Sequence, residues 1–366
     1  MNRSRALGLL VALGLLAQLA QGAPQTTMEH LYTLTYIFEN RGEAPVTLEE
    51  SYVQIPLFMN NSHQEVRLLE AHPGVKTRVQ DPDGNLLAVM DLPLELGPGR
   101  ANFTAVFRIK TFGVEPPGFS QREALGVDGI PRRLVERYTQ PSETFPCQNP
   151  EVLELAREIT QSEDAVLAKV LSLVAYIREN VSYLNGEAPR YPLETLGEGA
   201  GDCDDQAILL VTLCRSLGVP AYLQVGLVFN RAMGDSGESW GGRLRSEARG
   251  VGWHGWAMVY IPPWGWTPID LTLAGAESEL ELLKGAHQYG ATIAAAFNVS
   301  QSPYVGDTRE TMERLKGGDL YITIIEEAQQ VTNQRLQGAR LTLALALALG
   351  LVLGYMFYSA RRDAGG

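Results

Sequence analysis

At 366 residues the chain is longer than one hydrophobic core organises, so two folded domains are the starting expectation. An apolar content of 45% with 20% charged residues describes a globular protein and excludes a disordered one. The net charge of −12 excludes nucleic acid as a partner, because phosphate binding needs a basic face.

In chain order, Met1-Asn2-Arg3-Ser4-Arg5 precedes an apolar run from Ala6 to Ala20 and a small-residue stretch ending at Ala23. This is the layout of a secretory signal over residues 1–23, with an uncleaved N-terminal anchor as the alternative. Residues 28–111 alternate with the period of strands. Tyr32, Leu34, Tyr36 and Phe38 fall on one face, and Phe103, Ala105, Phe107 and Ile109 on another. With turns at Glu39–Gly42, Asp81–Asn85 and Gly97–Gly99, the pattern predicts a small β-sandwich. His30, His63 and His72 lack ligand spacing and are expected at its surface.

Residues 112–150, rich in proline and glycine, are expected to form an irregular connector. Helical periodicity follows over Glu151–Ile159 and from about Ser162 to Asn180. A third helix starts after Asp202 as N-cap and closes at Gly218 and Pro220. Its middle, Ala207 to Val211, is apolar nearly all round, which predicts a central buried helix. Strands are expected over Ala221–Val228, His254–Ile261 and Trp266–Leu271, with a flexible glycine-rich segment at Arg231–Gly252 that could close over the site. A last strand runs from Leu320 to Ile325. A polar stalk is expected over 327–340. Residues 341–360 carry no charge over the length a helix needs to cross a membrane, and 361–366 form a cytoplasmic tail. The reading is a membrane-anchored protein whose bulk, with a catalytic domain over 151–326, faces the extracytoplasmic side.

One constellation can support chemistry. Cys203 opens the central helix, where unpaired N–H groups and the helix dipole favour a thiolate. Asp202, Asp204 and Asp205 oppose it, so a cationic partner is required. His254 and Asp270 flank a tight hairpin with Pro262 at its midpoint, which is expected to set them nearly opposite each other. A carboxylate there fixes the imidazole tautomer, completing a nucleophile, base and orienter. Cys147 and Cys214 could pair and leave Cys203 free. A metal site at Asp202, Asp204 and Asp205 is set aside, because helix capping accounts for acidic residues there. No cofactor is implied.

Gly201-Asp202-Cys203-Asp204-Asp205-Gln206-Ala207, followed by Leu213–Ala221, resembles the nucleophile helix of the transglutaminase-like superfamily. His254-Gly255-Trp256 and Gly265–Thr272 are similar to that family's histidine and aspartate elements, with Gly255 in place of the usual alanine. Tyr176–Tyr183 resembles the helix end that precedes the cysteine. The resemblance covers about residues 150–275. It implies an α+β, papain-like catalytic core after the β-sandwich, with Cys203, His254 and Asp270 as the triad. Tyr183, Gln206 and Trp256 are oxyanion or substrate candidates. The implied reaction is acyl transfer on peptide or glutamine amides, hydrolysis ahead of crosslinking, on a peptide or protein of the cell envelope. A catalytically silent module that binds peptides or envelope partners is the alternative.

Overall fold

The structure, a computed structural model, describes residues 27–272, 276–288 and 292–331. The expected signal, membrane helix, cytoplasmic tail and residues 332–340 of the stalk lie outside the described residues. No helix among the described residues is long and apolar enough to cross a membrane.

The N-terminal strands are β1 (Thr27–Asn40), β2 (Val46–Thr47), β3 (Gln54–Pro56), β4 (Gln64–His72), β5 (Val75–Gln80), β6 (Leu86–Met90), β7 (Glu95–Leu96) and β8 (Gly99–Phe112). β1 and β8 pair antiparallel end to end, from Thr27↔Phe112 to Asn40↔Gly99. Their alternation buries Tyr32, Leu34 and Phe38 with Phe103, Phe107 and Ile109, and the β3–β6–β5 sheet covers this face with Ile55, Ala88 and Met90. The same period carries His30 inward. It is 6% exposed and stacks on Phe229 with ring centroids 4.2 Å apart, so it belongs to the core and not to the surface. His63 and His72 are exposed.

The rest of the chain supplies α1 (Arg132–Tyr138), α2 (Pro150–Ile159), α3 (Val166–Asn180), β9 (Ser182–Tyr183), α4 (Pro192–Glu198), β10 (Ala200–Gly201) and α5 (Cys203–Ser216). Then come β11 (Ala221–Ser239), β12 (Leu244–Ile261), β13 (Gly265–Ile269), α6 (Glu279–Gln288), β14 (Ile293–Val299), α7 (Tyr304–Lys316) and β15 (Leu320–Gln330). This is a mixed α+β fold with seven α-helices among the described residues.

Four expectations need correction. The connector is not wholly irregular, since α1 occupies Arg132–Tyr138. The glycine-rich segment is ordered as a β-ribbon: β11 and β12 pair from Gly234↔Arg249 to Ser239↔Leu244. Its tip is tied down where Trp240 Nε1 donates to the Glu187 carbonyl at 2.6 Å. A ribbon whose faces are mostly solvated carries no apolar alternation, so composition alone reads it as loop. The sandwich is not self-contained either. Its larger sheet runs on without a break in the order β14–β11–β12–β15–β1–β8–β4, with β13 added on β12. The start of the expected stalk, Glu327 to Gln330, is the end of β15, the strand that joins the two halves.

β12 positions the site. One edge pairs with β11. The other pairs with β15 over Leu244–Arg249 and with β13 over Ala257–Ile261, leaving residues 250–256 without a strand neighbour on that edge among the described residues. Ala257, Val259 and Ile261 face the helical core around α5, whereas Val251 belongs to the sandwich core. Trp253 stands between these two covered regions and is 41% exposed.

At this seam Tyr32 Oη and Trp253 Nε1 both donate to Glu326 Oε1, the latter at 2.8 Å. Burial raises the Glu326 carboxyl above its ordinary range. A raised carboxyl contributes most to stability when protonated, and that contribution is lost as pH rises through the folded-state value. Glu326→Gln can accept the same two hydrogen bonds without the charge. It is expected to raise the melting temperature at pH 8 and to weaken the stabilisation that acidification to pH 5 brings. Equal melting temperatures for both proteins at pH 8 would exclude this role.

Candidate active site

α5 starts at Cys203 because its end is capped on both sides. Asp202 accepts from the Asp205 N–H at 3.4 Å, and Asp205 Oδ2 accepts from the Asp202 N–H at 3.1 Å, a reciprocal box. Behind it, every side chain from Asp205 to Arg215 is buried. Burying residues such as Leu209 and Leu210 contributes roughly 1.5–3 kcal/mol each, which fixes the helix axis and so the position of Cys203.

Cys203 is partly exposed and free, and Cys147 and Cys214 are buried, free and not bonded to each other. The Cys203 sulfur takes N–H groups from Gly255 and Asp204. These favour the thiolate, yet burial, followed by the Asp204 carboxylate, pushes the thiol up to about 12. The three aspartates differ in effect. Asp205 is fully buried and held by Arg190, whose backbone N–H and Nη1 each donate at 2.6 Å. Burial, with Asp202 alongside, pushes Asp204 well above the usual carboxylate range, and Tyr304 Oη donates to its Oδ2 at 2.9 Å. In its protonated form Asp204 no longer opposes a thiolate next door. Asp202, Cys203 and Asp204 bring possible ligand atoms within 4.8 Å of one another, but the Asp202 oxygens accept from Asp205 and Gly186 N–H groups.

His254, 7% exposed, faces Asp270, 4% exposed, with Nε2 to Oδ2 at 2.7 Å. Asp270 Oδ1 accepts from the Thr272 N–H at 3.0 Å and its hydroxyl at 3.2 Å. The two are diagonal neighbours, not opposite ones. The turn spans residues 262–264, so Ile261 pairs with Gly265, and this register would set His254 against Thr272. Trp256 stacks on His254 with centroids 6.0 Å apart and is almost wholly buried.

The other candidates fare differently. Gln206 is buried and its Nε2 donates to the Gly201 carbonyl at 3.0 Å, tying α5 to β10. Tyr183 is 57% exposed. Partial burial, with the nearby Cys203 and aspartate charges, pushes its phenol up to about 12, and its backbone pairs with Gly201, two residues before the cysteine. Tyr304, Arg190 and the Gly255 N–H are site residues that sequence reasoning missed. Gly255 alone had a signal, as a glycine where the resembling family has alanine.

Gly255 is required by close approach. A Cβ there would stand 2.9 Å from Asp204 Cβ and 3.2 Å from Asp204 Cα. Gly255→Ala should therefore displace the start of α5, with an overpacking cost of about 1–3 kcal/mol. The expected result is a lower melting temperature together with slower alkylation of Cys203. An unchanged alkylation rate would show that the helix start tolerates the methyl.

Residues 153–271 match the family model of the transglutaminase-like superfamily. This stretch of the chain is transglutaminase-like. A candidate cysteine protease from Cytophaga hutchinsonii has a similar structure, with a TM-score of 0.52 at 16% identity, over 84% of this chain and 92% of that one. At that identity the transglutaminase-like core shares its fold with that protein. The periplasmic domain of TgpA from Pseudomonas aeruginosa, bound to ethylmercury, matches with a TM-score of 0.34 at 15% identity, over 74% of this chain and 96% of that one. Red sea bream transglutaminase matches with a TM-score of 0.32 at 10% identity, over 80% and 63%. No curated protein matches the chain.

Proposed function

We propose that this protein is a membrane-anchored, extracytoplasmic cysteine acyl-transfer enzyme in which Cys203 is the nucleophile, His254 the base and Asp270 its orienter. The observation that carries the reading is the 2.7 Å His254–Asp270 contact one residue before Gly255, whose N–H meets the Cys203 sulfur. His254 takes the thiol proton as the sulfur attacks a carboxamide or peptide carbonyl, then returns it to the leaving amine or ammonia. The Cys203 N–H at the helix start is a natural oxyanion donor, and Tyr183, exposed and paired through its backbone with Gly201, is the candidate for a second. Water then resolves the thioester. Hydrolysis stands ahead of crosslinking because the Cytophaga protein sharing this fold is a candidate cysteine protease. Peptides of the cell envelope are the expected substrates.

A second reading, a silent peptide-binding module, is favoured by one observation: the Cys203 thiol is pushed up to about 12. Iodoacetamide decides between them. An enzyme is expected to alkylate at Cys203 faster than a model thiol at pH 6–7, and His254→Ala should remove the advantage. Peptide cleavage and amine incorporation by the wild type, compared with Cys203→Ala, then identify the acyl acceptor. No Cys203-dependent product from either would sink the enzymatic reading.

A further inference from the structure

On the face of β12 and β13 away from α5 lies a cavity of about 270 Å³. Its walls include Trp256, Trp264 and Trp266, three of the chain's five tryptophans, together with Glu115, Asp270 and His287. A cavity of about 150 Å³ accommodates benzene, so this one takes a ring with a short side chain. Among the described residues its lining carries two acidic side chains and no lysine or arginine. Burial pushes His287 down to about 4, so it adds no positive charge at neutral pH, while His63, also on the lining, stands at its exposed edge. His287 is buried, and its Nε2 has no hydrogen-bond partner among the described residues, leaving it available as an acceptor.

We propose that this cavity is a binding site for a small organic ammonium ion with an aromatic or aliphatic body. Three indoles supply apolar contact and electron-rich faces that attract a cation. Exposed Glu115 supplies the counter-charge, and the neutral His287 can accept a hydrogen bond from the ammonium. The lining does not include Cys203, so the ligand is not an acyl acceptor in place. It would instead touch Trp256 and Asp270, the two residues that pack on and bond His254. Any effect on catalysis rests on the acyl-transfer reading; the binding itself does not.

Tryptophan fluorescence of the full-length chain, titrated with 2-phenylethylammonium, 2-phenylethanol and phenylacetate, tests the proposal. A saturable change is expected with the ammonium, about tenfold tighter than with the alcohol, and weakest with phenylacetate. Glu115→Gln, at an exposed position, should bring ammonium and alcohol affinities together. Met258→Trp, which adds bulk to the wall, should abolish the response, while Cys203→Ala should retain it. No saturable response to the ammonium, or equal affinity for phenylacetate, would overturn the proposal. So would a preference unaltered by Glu115→Gln. Binding that persists in an inactive protein would separate failure of the proposed function from failure of this site.

Discussion

Asp270→Asn is expected to slow acylation of Cys203 by an activated ester roughly a thousandfold or more, with little change in melting temperature. The reason lies in what holds the carboxylate. Asp270 Oδ1 accepts from both the Thr272 N–H and its hydroxyl, and Oδ2 faces His254 Nε2 at 2.7 Å. An asparagine in this pocket must keep its carbonyl oxygen on the Thr272 N–H, because two N–H donors cannot face each other. Its amide NH2 then points at Nε2, so the imidazole must accept there and carry its proton on Nδ1. In the proposed reaction that is the wrong tautomer, because the base takes the Cys203 proton through its other nitrogen. The carboxylate also stabilises the imidazolium formed on proton transfer, which a neutral amide does not. Since burial holds the Cys203 thiol up at about 12, transfer to His254 is the step most in need of that help. A fall of less than tenfold, with the protein still folded, would remove Asp270 from the mechanism and with it the triad reading.

The parts of the site legible in sequence are those whose cause is local. Asp202 and Asp205 announce a capped helix within four residues, and the strand alternation of Tyr32 to Phe38 needs only its own period. The hairpin turn brought His254 and Asp270 together, although a turn centred on Pro263 instead of Pro262 moved the register by two positions. What stayed hidden depends on separation along the chain. Tyr304 reaches Asp204 from 100 residues away. Arg190 neutralises Asp205 from a loop with no pattern of its own. β15, with an ordinary strand signal, joins two sheets that composition presents as separate domains. The balance at Cys203 was likewise misjudged from sequence, where the aspartates alone opposed the thiolate. In the fold, burial is the larger opposing effect, and one aspartate is paired while another is pushed toward its neutral form.

Arg215→Met is expected to lower unfolding free energy by about 3 kcal/mol, measured by urea denaturation. Arg215 is 2% exposed at the far end of α5. Its guanidinium donates to the Ala221 carbonyl at 2.8 Å, the Gln140 carbonyl at 3.0 Å and the Ser300 carbonyl at 2.9 Å, and lies over the Phe145 ring at 4.3 Å. Burial lowers its value to about 10, still well above neutral pH, so the fork remains charged and carries all its donors. Methionine fills the volume but takes the donor from the buried Ala221 and Ser300 carbonyls, each costing about 1–3 kcal/mol, while the Gln140 carbonyl lies on an exposed residue and water can replace its donor; the loss is partly offset because no charge need be buried. Arg215→Lys should recover little, since one ammonium cannot span three directions that a planar fork reaches. A loss under about 1 kcal/mol would mean that water or local relaxation satisfies those carbonyls. Twelve residues of helix, about 18 Å at 1.5 Å per residue, separate this anchor from Cys203. Under native conditions, alkylation of Cys203 in the variant should therefore match the wild type, because the anchor supports the helix and the other end sets the chemistry.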